Sequence, residues 1–131
     1  METKEKEILR GGQFLVKETN CEDVFTPEDF SEEQKMMKEA VIEFNDREII
    51  AFKERFEKKD YAFTEECMQK AGELGFLGVS VPEAYGGMEM GFVSTMLVCD
   101  YISSGTGSFS TAFGAHTGIC LLYTSPSPRD A

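Results

Sequence analysis

Between Gly91 and Ser104 the chain reads GFVSTMLVCDYISS, and its apolar residues run almost all the way round a helix rather than along one stripe. A helix of that composition is buried in its finished setting. In 131 residues there is too little other apolar surface to cover it on every side. The pattern predicts an all-α domain whose cover is completed by chain that is not in this sequence.

The neighbouring text supports the helical reading. Thr26-Pro27-Glu28-Asp29 has a hydroxyl at the cap, proline at the first helical position and acids facing the positive end of the dipole. Ser31 to Gln34 repeats the start signal as a capping box. From there Met37, Val41, Phe44, Glu48 and Phe52 recur every three to four residues, with Met36, Ala40 and Ile50 widening the stripe, so a long helix is expected from Ser31 to about Lys53. Thr64 is the expected cap of a second helix that turns Cys67, Met68, Ala71 and Leu74 inward and stops at Gly75. Phe76 to Val81 is apolar and β-branched, and it ends at Pro82, so an extended connector is expected there. Glu83 to Gly87 is a turn carried by paired glycines. Beyond the apolar helix, Gly105-Thr106-Gly107 breaks the chain. Ser108 then caps a fourth helix running to about Ile119, with Phe109, Phe113 and Ile119 on one face. The expected architecture is four helices and one connector, over residues 26–119, after a charged lead-in at 1–25. The apolar patch Phe14-Leu15-Val16 of that lead-in reads either as a docking strand or arm, or as part of a loose tail.

Composition removes several classes of function. Asp and Glu total 24 against 13 Lys and Arg, a net charge of −11, and no Lys or Arg lies between Lys70 and Arg129. Without a basic stripe there is nothing to neutralise nucleic-acid phosphates or to lie on an anionic membrane. No apolar run approaches the roughly 18 residues of a membrane span. The start, METKEKEILR, has neither the apolar core of a signal peptide nor transit-peptide character, which gives a cytoplasmic expectation. Cys21, Cys67, Cys99 and Cys120 are too scattered, with the single His116, to suggest a metal site, and they read as reduced thiols.

From Cys120 the character changes. CLLYTSPSPRD resembles, over eleven consecutive residues, one reading frame of a transposase-type sequencing adapter. Residues 120–131 are therefore expected to be foreign to the domain, with the native gene continuing differently after Ile119.

The ordered text Leu74-Gly75-Phe76-Leu77-Gly78, Pro82-Glu83-Ala84-Tyr85-Gly86-Gly87 and the small-residue break Ser103 to Gly107 is similar to the N-terminal helical domain of acyl-CoA dehydrogenases. Gly11-Gly12-Gln13-Phe14-Leu15 resembles the lead-in of the very-long-chain-type branch. The resemblance implies an FAD-dependent parent enzyme of fatty-acid β-oxidation that converts an acyl-CoA to a trans-2-enoyl-CoA. It also implies electron-transfer flavoprotein as acceptor and a homo-oligomeric assembly. It places the proton-abstracting Glu and the flavin contacts in later domains, so this chain carries no catalytic residue and is expected to be inactive, and poorly packed, alone. What it does carry is Phe113-Gly114-Ala115, where the family closes the bottom of its acyl pocket. Gly there leaves depth for further methylenes, each contributing about 0.8 kcal/mol when buried. Gly114 also reads as a residue that merely permits close helix packing, His116 as a helix-end side chain, and Glu83 and Glu89 as surface-turn acids. A related acyl-CoA oxidase or nitroalkane oxidase-like flavoprotein, or a free-standing helical interaction module, stay open as alternatives.

Overall fold

The computed structural model describes Leu9 and residues 11–120. Among the described residues the regular structure is helical throughout: α1 (Glu32–Phe44), α2 (Lys53–Glu57), α3 (Tyr61–Glu73), α4 (Phe92–Ser103) and α5 (Gly107–Gly114), joined by 3-10 and π turns. The chain divides into two compact units, Met1–Glu33 and Gln34–Ala131.

In the first unit, Gly11–Leu15 is a 3-10 turn rather than a strand, and Phe14, Leu15 and Val16 are exposed. Thr26 caps the turn Pro27–Asp29, and both its amide and its hydroxyl donate to Asp29 Oδ2, at 2.9 and 3.2 Å. The expected short turn before the main helix is therefore present.

In the second unit the long helix forms, but it changes pitch. After Phe44 a π turn covers Asn45–Ile49, a 3-10 turn covers Ile50–Phe52, and α2 resumes at Lys53. A π turn inserts one residue into the helical repeat, which rotates everything downstream. Met37 is half-buried and Val41 and Phe44 are buried as expected, but the inward face then passes to Asn45, Ile49 and Phe56. Ile50 and Phe52 are consequently exposed, and so is Met36.

Helix α3 starts earlier than Thr64. Asp60 is its cap, accepting from the Phe63 amide at 3.1 Å, while the Thr64 hydroxyl turns back to donate to the Asp60 carbonyl. Arg55 donates to the same carboxylate through Nε and Nη2, at 2.9 and 2.8 Å, and its guanidinium lies 3.8 Å from the Phe63 ring centroid. These contacts, the Arg55 hydrogen bonds foremost, hold the Asp60 carboxyl below its ordinary range. Cys67 and Ala71 are buried as the pattern requires, whereas Leu74 is exposed. Gly75 ends the helix at φ 82°.

The connector is wound rather than stretched. Phe76–Gly78 forms a 3-10 turn that drops Phe76 and Val79 into the core. Glu83–Tyr85 forms another, closed by Gly86 at φ 82°. The returning chain bonds back across it: Met88 N to Gly78 O, Glu89 N to Val81 O and Met90 N to Val79 O, at 3.0, 2.9 and 2.8 Å. A Cβ on Gly87 would overlap Val81 O and Val81 Cβ, so glycine is required there by contact.

Phe109 sits at the centre of the core and is 0% exposed. Its ring meets Phe44, Phe56 and Phe113 at centroid distances of 6.3, 5.7 and 6.3 Å, and Phe56 continues to Phe63 at 5.2 Å. Aromatic pairs at such separations contribute about 0.5–1.5 kcal/mol each beyond their area. Helix α4 buries Ser94, Leu97, Val98 and Ile102, leaving Phe92 76% exposed and Val93 and Met96 uncovered on the other side. Its apolar composition thus exceeds what this chain covers.

Candidate functional site

Helix α5 and the π turn Ala115–Cys120 that follows it hold the residues singled out for substrate contact. Thr106, itself buried, caps α5 by accepting from the Phe109 amide at 3.1 Å. Thr106 takes the role expected of Ser108, which is exposed. One turn apart, Phe109 and Phe113 anchor the helix to the core.

Phe113 is buried, Gly114 and Ala115 are half-buried, and His116 is exposed. A Cβ built on Gly114 meets nothing within 4 Å, so among the described residues no neighbouring helix needs glycine at this position. Past Gly114 the Thr117 hydroxyl donates to Phe113 O at 3.0 Å. Ile119, expected on the packed face, is exposed; six residues past Phe113, it lies about 120° off that face at about 100° per residue.

Behind α5 a crevice of about 10 Å³ lies between Phe76, Val79, Thr95, Val98, Cys99 and Phe113. It is at the lower limit for a single water. Burial pushes the Cys99 thiol up. The Thr95 hydroxyl faces this region without a hydrogen-bond partner among the described residues.

The two tempting acids lie elsewhere. Glu89 accepts from the Glu83 amide at 3.1 Å, and both residues are exposed, Glu83 on the Pro82–Gly87 turn and Glu89 just past it at φ 50°. Their surface-turn reading is the one the geometry supports. A third group of charges, Lys70 with Glu48 at 2.7 Å and Glu66 at 3.0 Å, braces α3 against the π turn of the first helix. Hydrogen bonds to these carboxylates raise the Lys70 pKa. Cys67, whose Sγ lies 3.7 Å from Glu48 O, is pushed up to about 11 by burial.

Asn45 was not among the residues expected to matter. It is 2% exposed, and Nδ2 donates to Tyr101 O and Ser104 Oγ, each at 3.0 Å. It lies four residues past Val41, on the inward face of the helix, where a polar residue does not mark itself as core. Thr106 and Asp60 were legible in principle, as hydrogen-bonding residues three positions before Phe109 and Phe63.

Among the described residues no helix is long and apolar enough to cross a membrane. The profile described as "Acyl-CoA dehydrogenase, N-terminal domain" matches residues 31–127, running into the segment that resembles adapter sequence. A probable acyl-CoA dehydrogenase of Bacillus subtilis (strain 168) is 34% identical over 122 residues, 93% of this chain and 20% of that protein. The mitochondrial isovaleryl-CoA dehydrogenase of Solanum tuberosum is 32% identical over 93 residues, 70% of this chain and 23% of that protein. Among solved structures, the acyl-CoA dehydrogenase of Bacillus anthracis, complexed with FAD, superposes with a TM-score of 0.77 at 40% identity. That match covers 85% of this chain and 19% of the neighbour. The chain thus spans about a fifth of the length of these relatives. The matched profile, the helical order and the glycine-dependent turn agree: the chain belongs to the acyl-CoA dehydrogenase family and carries its N-terminal domain.

Proposed function

We propose that residues 26–119 form the substrate-side helical domain of an FAD-dependent acyl-CoA dehydrogenase of the very-long-chain-type branch. In this reading the parent is a cytoplasmic enzyme of fatty-acid β-oxidation that desaturates long-chain acyl-CoA to trans-2-enoyl-CoA. It passes electrons to an electron-transfer flavoprotein and works as a homo-oligomer. Phe113, Gly114 and Ala115 line the far end of the acyl channel. The observation that carries the chain-length part is the open space at Gly114, where a side chain would meet nothing within 4 Å. Phe113 beneath it supplies a fixed apolar floor. Depth without a blocking side chain favours additional methylenes, each contributing about 0.8 kcal/mol once desolvated.

Neither α3 nor α5 presents an uncapped N-terminus to a flavin pyrophosphate. The first-turn amides of α3 and α5 are already capped by Asp60 and Thr106, and no Lys or Arg between Ala71 and Pro128 can face a pyrophosphate. In this reading the FAD site and the carboxylate that takes the α-proton belong to the part of the parent that this chain does not span. The chain's own contribution is to bind and orient the acyl tail and to keep water from it.

The test is Gly114→Glu in the full-length enzyme, assayed on thioesters from butyryl to hexadecanoyl. A buried carboxylate should lower kcat/KM on the longest substrates by about four-fold for each methylene excluded and spare the short ones. Unchanged hexadecanoyl activity removes the channel assignment. A wild type that prefers isovaleryl thioester, the substrate named for several relatives, removes the chain-length reading. The segment from Cys120 is given no functional role, on the strength of its likeness to adapter sequence. Reading the genomic DNA across Ile119 decides this, and native codons running through Pro128 would overturn it.

A further inference from the structure

We infer that Asn45 is a positioning residue that sets where the α5 floor of the acyl channel lies; the inference rests on the channel assignment proposed above. Asn45 is the first residue of the π turn in the long helix and, four residues past buried Val41, lies on the face that the helix turns inward. Nδ2 reaches the last turn of α4 twice, at Tyr101 O and Ser104 Oγ, and the Ser104 hydroxyl itself donates to Tyr101 O at 2.7 Å. Oδ1 is buried, accepts no hydrogen bond among the described residues, and points at Gly105. A Cβ on Gly105 would overlap Oδ1 and stand 2.9 Å from Ile49 Cγ2, so the α4–α5 break is seated directly on the π turn. Thr106, the next residue, caps α5.

One amide therefore fixes both the end of α4 and the start of α5. From Thr106 to Gly114 the helix climbs about 1.5 Å per residue as a nearly rigid rod. A shift at its origin is carried through Phe109 and Phe113 to Gly114. A side chain placed only for stability would, when changed, lower activity on all substrates alike. A side chain that sets the floor changes the dependence on chain length, because only long tails reach it.

The experiment uses the full-length holoenzyme with Asn45→Leu, which keeps the branching at Cγ and removes the donor, and Asn45→Asp, which keeps the shape and opposes Tyr101 O with an acceptor. Two measurements are made: hydrogen exchange of the 106–114 segment against 61–73, and the ratio of kcat/KM on hexadecanoyl to that on butyryl thioester. The expected result is faster exchange in 106–114 alone, with a ratio about four-fold lower for each methylene denied its place. Equal losses on both substrates, or α5 exchange no different from wild type, overturn the inference. If α5 exchange responds but the wild-type enzyme shows no advantage for the long thioester, the channel assignment is what fails, and the substrate half of this inference falls with it.

Discussion

Gly87→Ala should be among the most damaging glycine substitutions in the chain, and its cost follows from contact rather than from backbone freedom. The new Cβ would overlap Val81 O and Val81 Cβ and come within 2.5 Å of the Val81 carbonyl carbon. Two of these three atoms are main chain, so no flexible side-chain end can swing aside. The turn has to open, and the bond from Glu89 N to Val81 O lies nearest the collision. Overpacking of this kind costs about 1–3 kcal/mol, and a lost backbone hydrogen bond adds about 0.5–1.5 kcal/mol. The expected penalty is therefore about 2–4 kcal/mol, set against two internal controls. At Gly86, with φ 82° and nothing within 4 Å, alanine costs only the left-handed conformation, about 1–2 kcal/mol. At Gly91, with φ −66° and open space, it costs close to nothing. Native hydrogen exchange of residues 76–90 in the full-length enzyme reads these differences locally. At about 1.4 kcal/mol per ten-fold, Gly87→Ala should accelerate exchange roughly 30- to 700-fold, Gly86→Ala about 5- to 30-fold, and Gly91→Ala hardly at all. If Gly86→Ala equals or exceeds Gly87→Ala, the contact argument is wrong and positive φ alone accounts for the turn.

Two further predictions concern titration. Asp60 should titrate below its ordinary 3.8 in a carboxyl NMR experiment, and Arg55→Gln should return it towards that value. Because the folded value is the lowered one, the stabilisation is fully present above about pH 4 and is lost as pH falls through the depressed value, so an unshifted Asp60 would refute the Arg55 contact. Cys67, pushed up to about 11 by burial, should resist iodoacetamide at pH 8 while exposed Cys21 is labelled, and equal labelling by mass spectrometry would contradict its packing.

How far the sequence could be read divides along physical lines. Helix existence, the stops at Gly75 and Gly105, the Glu83–Gly87 turn and the inward set Val41, Phe44, Cys67, Phe109 and Phe113 were legible because each follows from local chemistry or a short period. Caps were missed where two hydroxyl or carboxyl residues competed, Asp60 with Thr64 and Thr106 with Ser108, since either offers an acceptor. Exposure of Phe52, Leu74 and Ile119 was not legible. For Phe52 it depends on the π turn at Asn45–Ile49, and a period of 3.6 extrapolated through such a turn points the wrong way, whereas Ile119 is out of phase with Phe113 from the start. At the candidate site the residue types of Phe113-Gly114-Ala115 were plain in the sequence. The open space around Gly114 and the seating of Gly105 on Asn45 arise from chain segments some sixty residues apart.

The π turn at Asn45–Ile49 behaves as a gear change within one continuous helical run. One added residue turns the downstream surface by about 100°, the angle between successive helical positions. A relative lacking that residue would keep the same inward face on an unbroken helix, with its counterpart of Phe56 one position earlier in the chain. Aligning such a relative with this chain takes a one-residue gap at the π turn, where no loop intervenes. Without it, every inference about which side chain of α2 faces inward would be made for the wrong side of the helix.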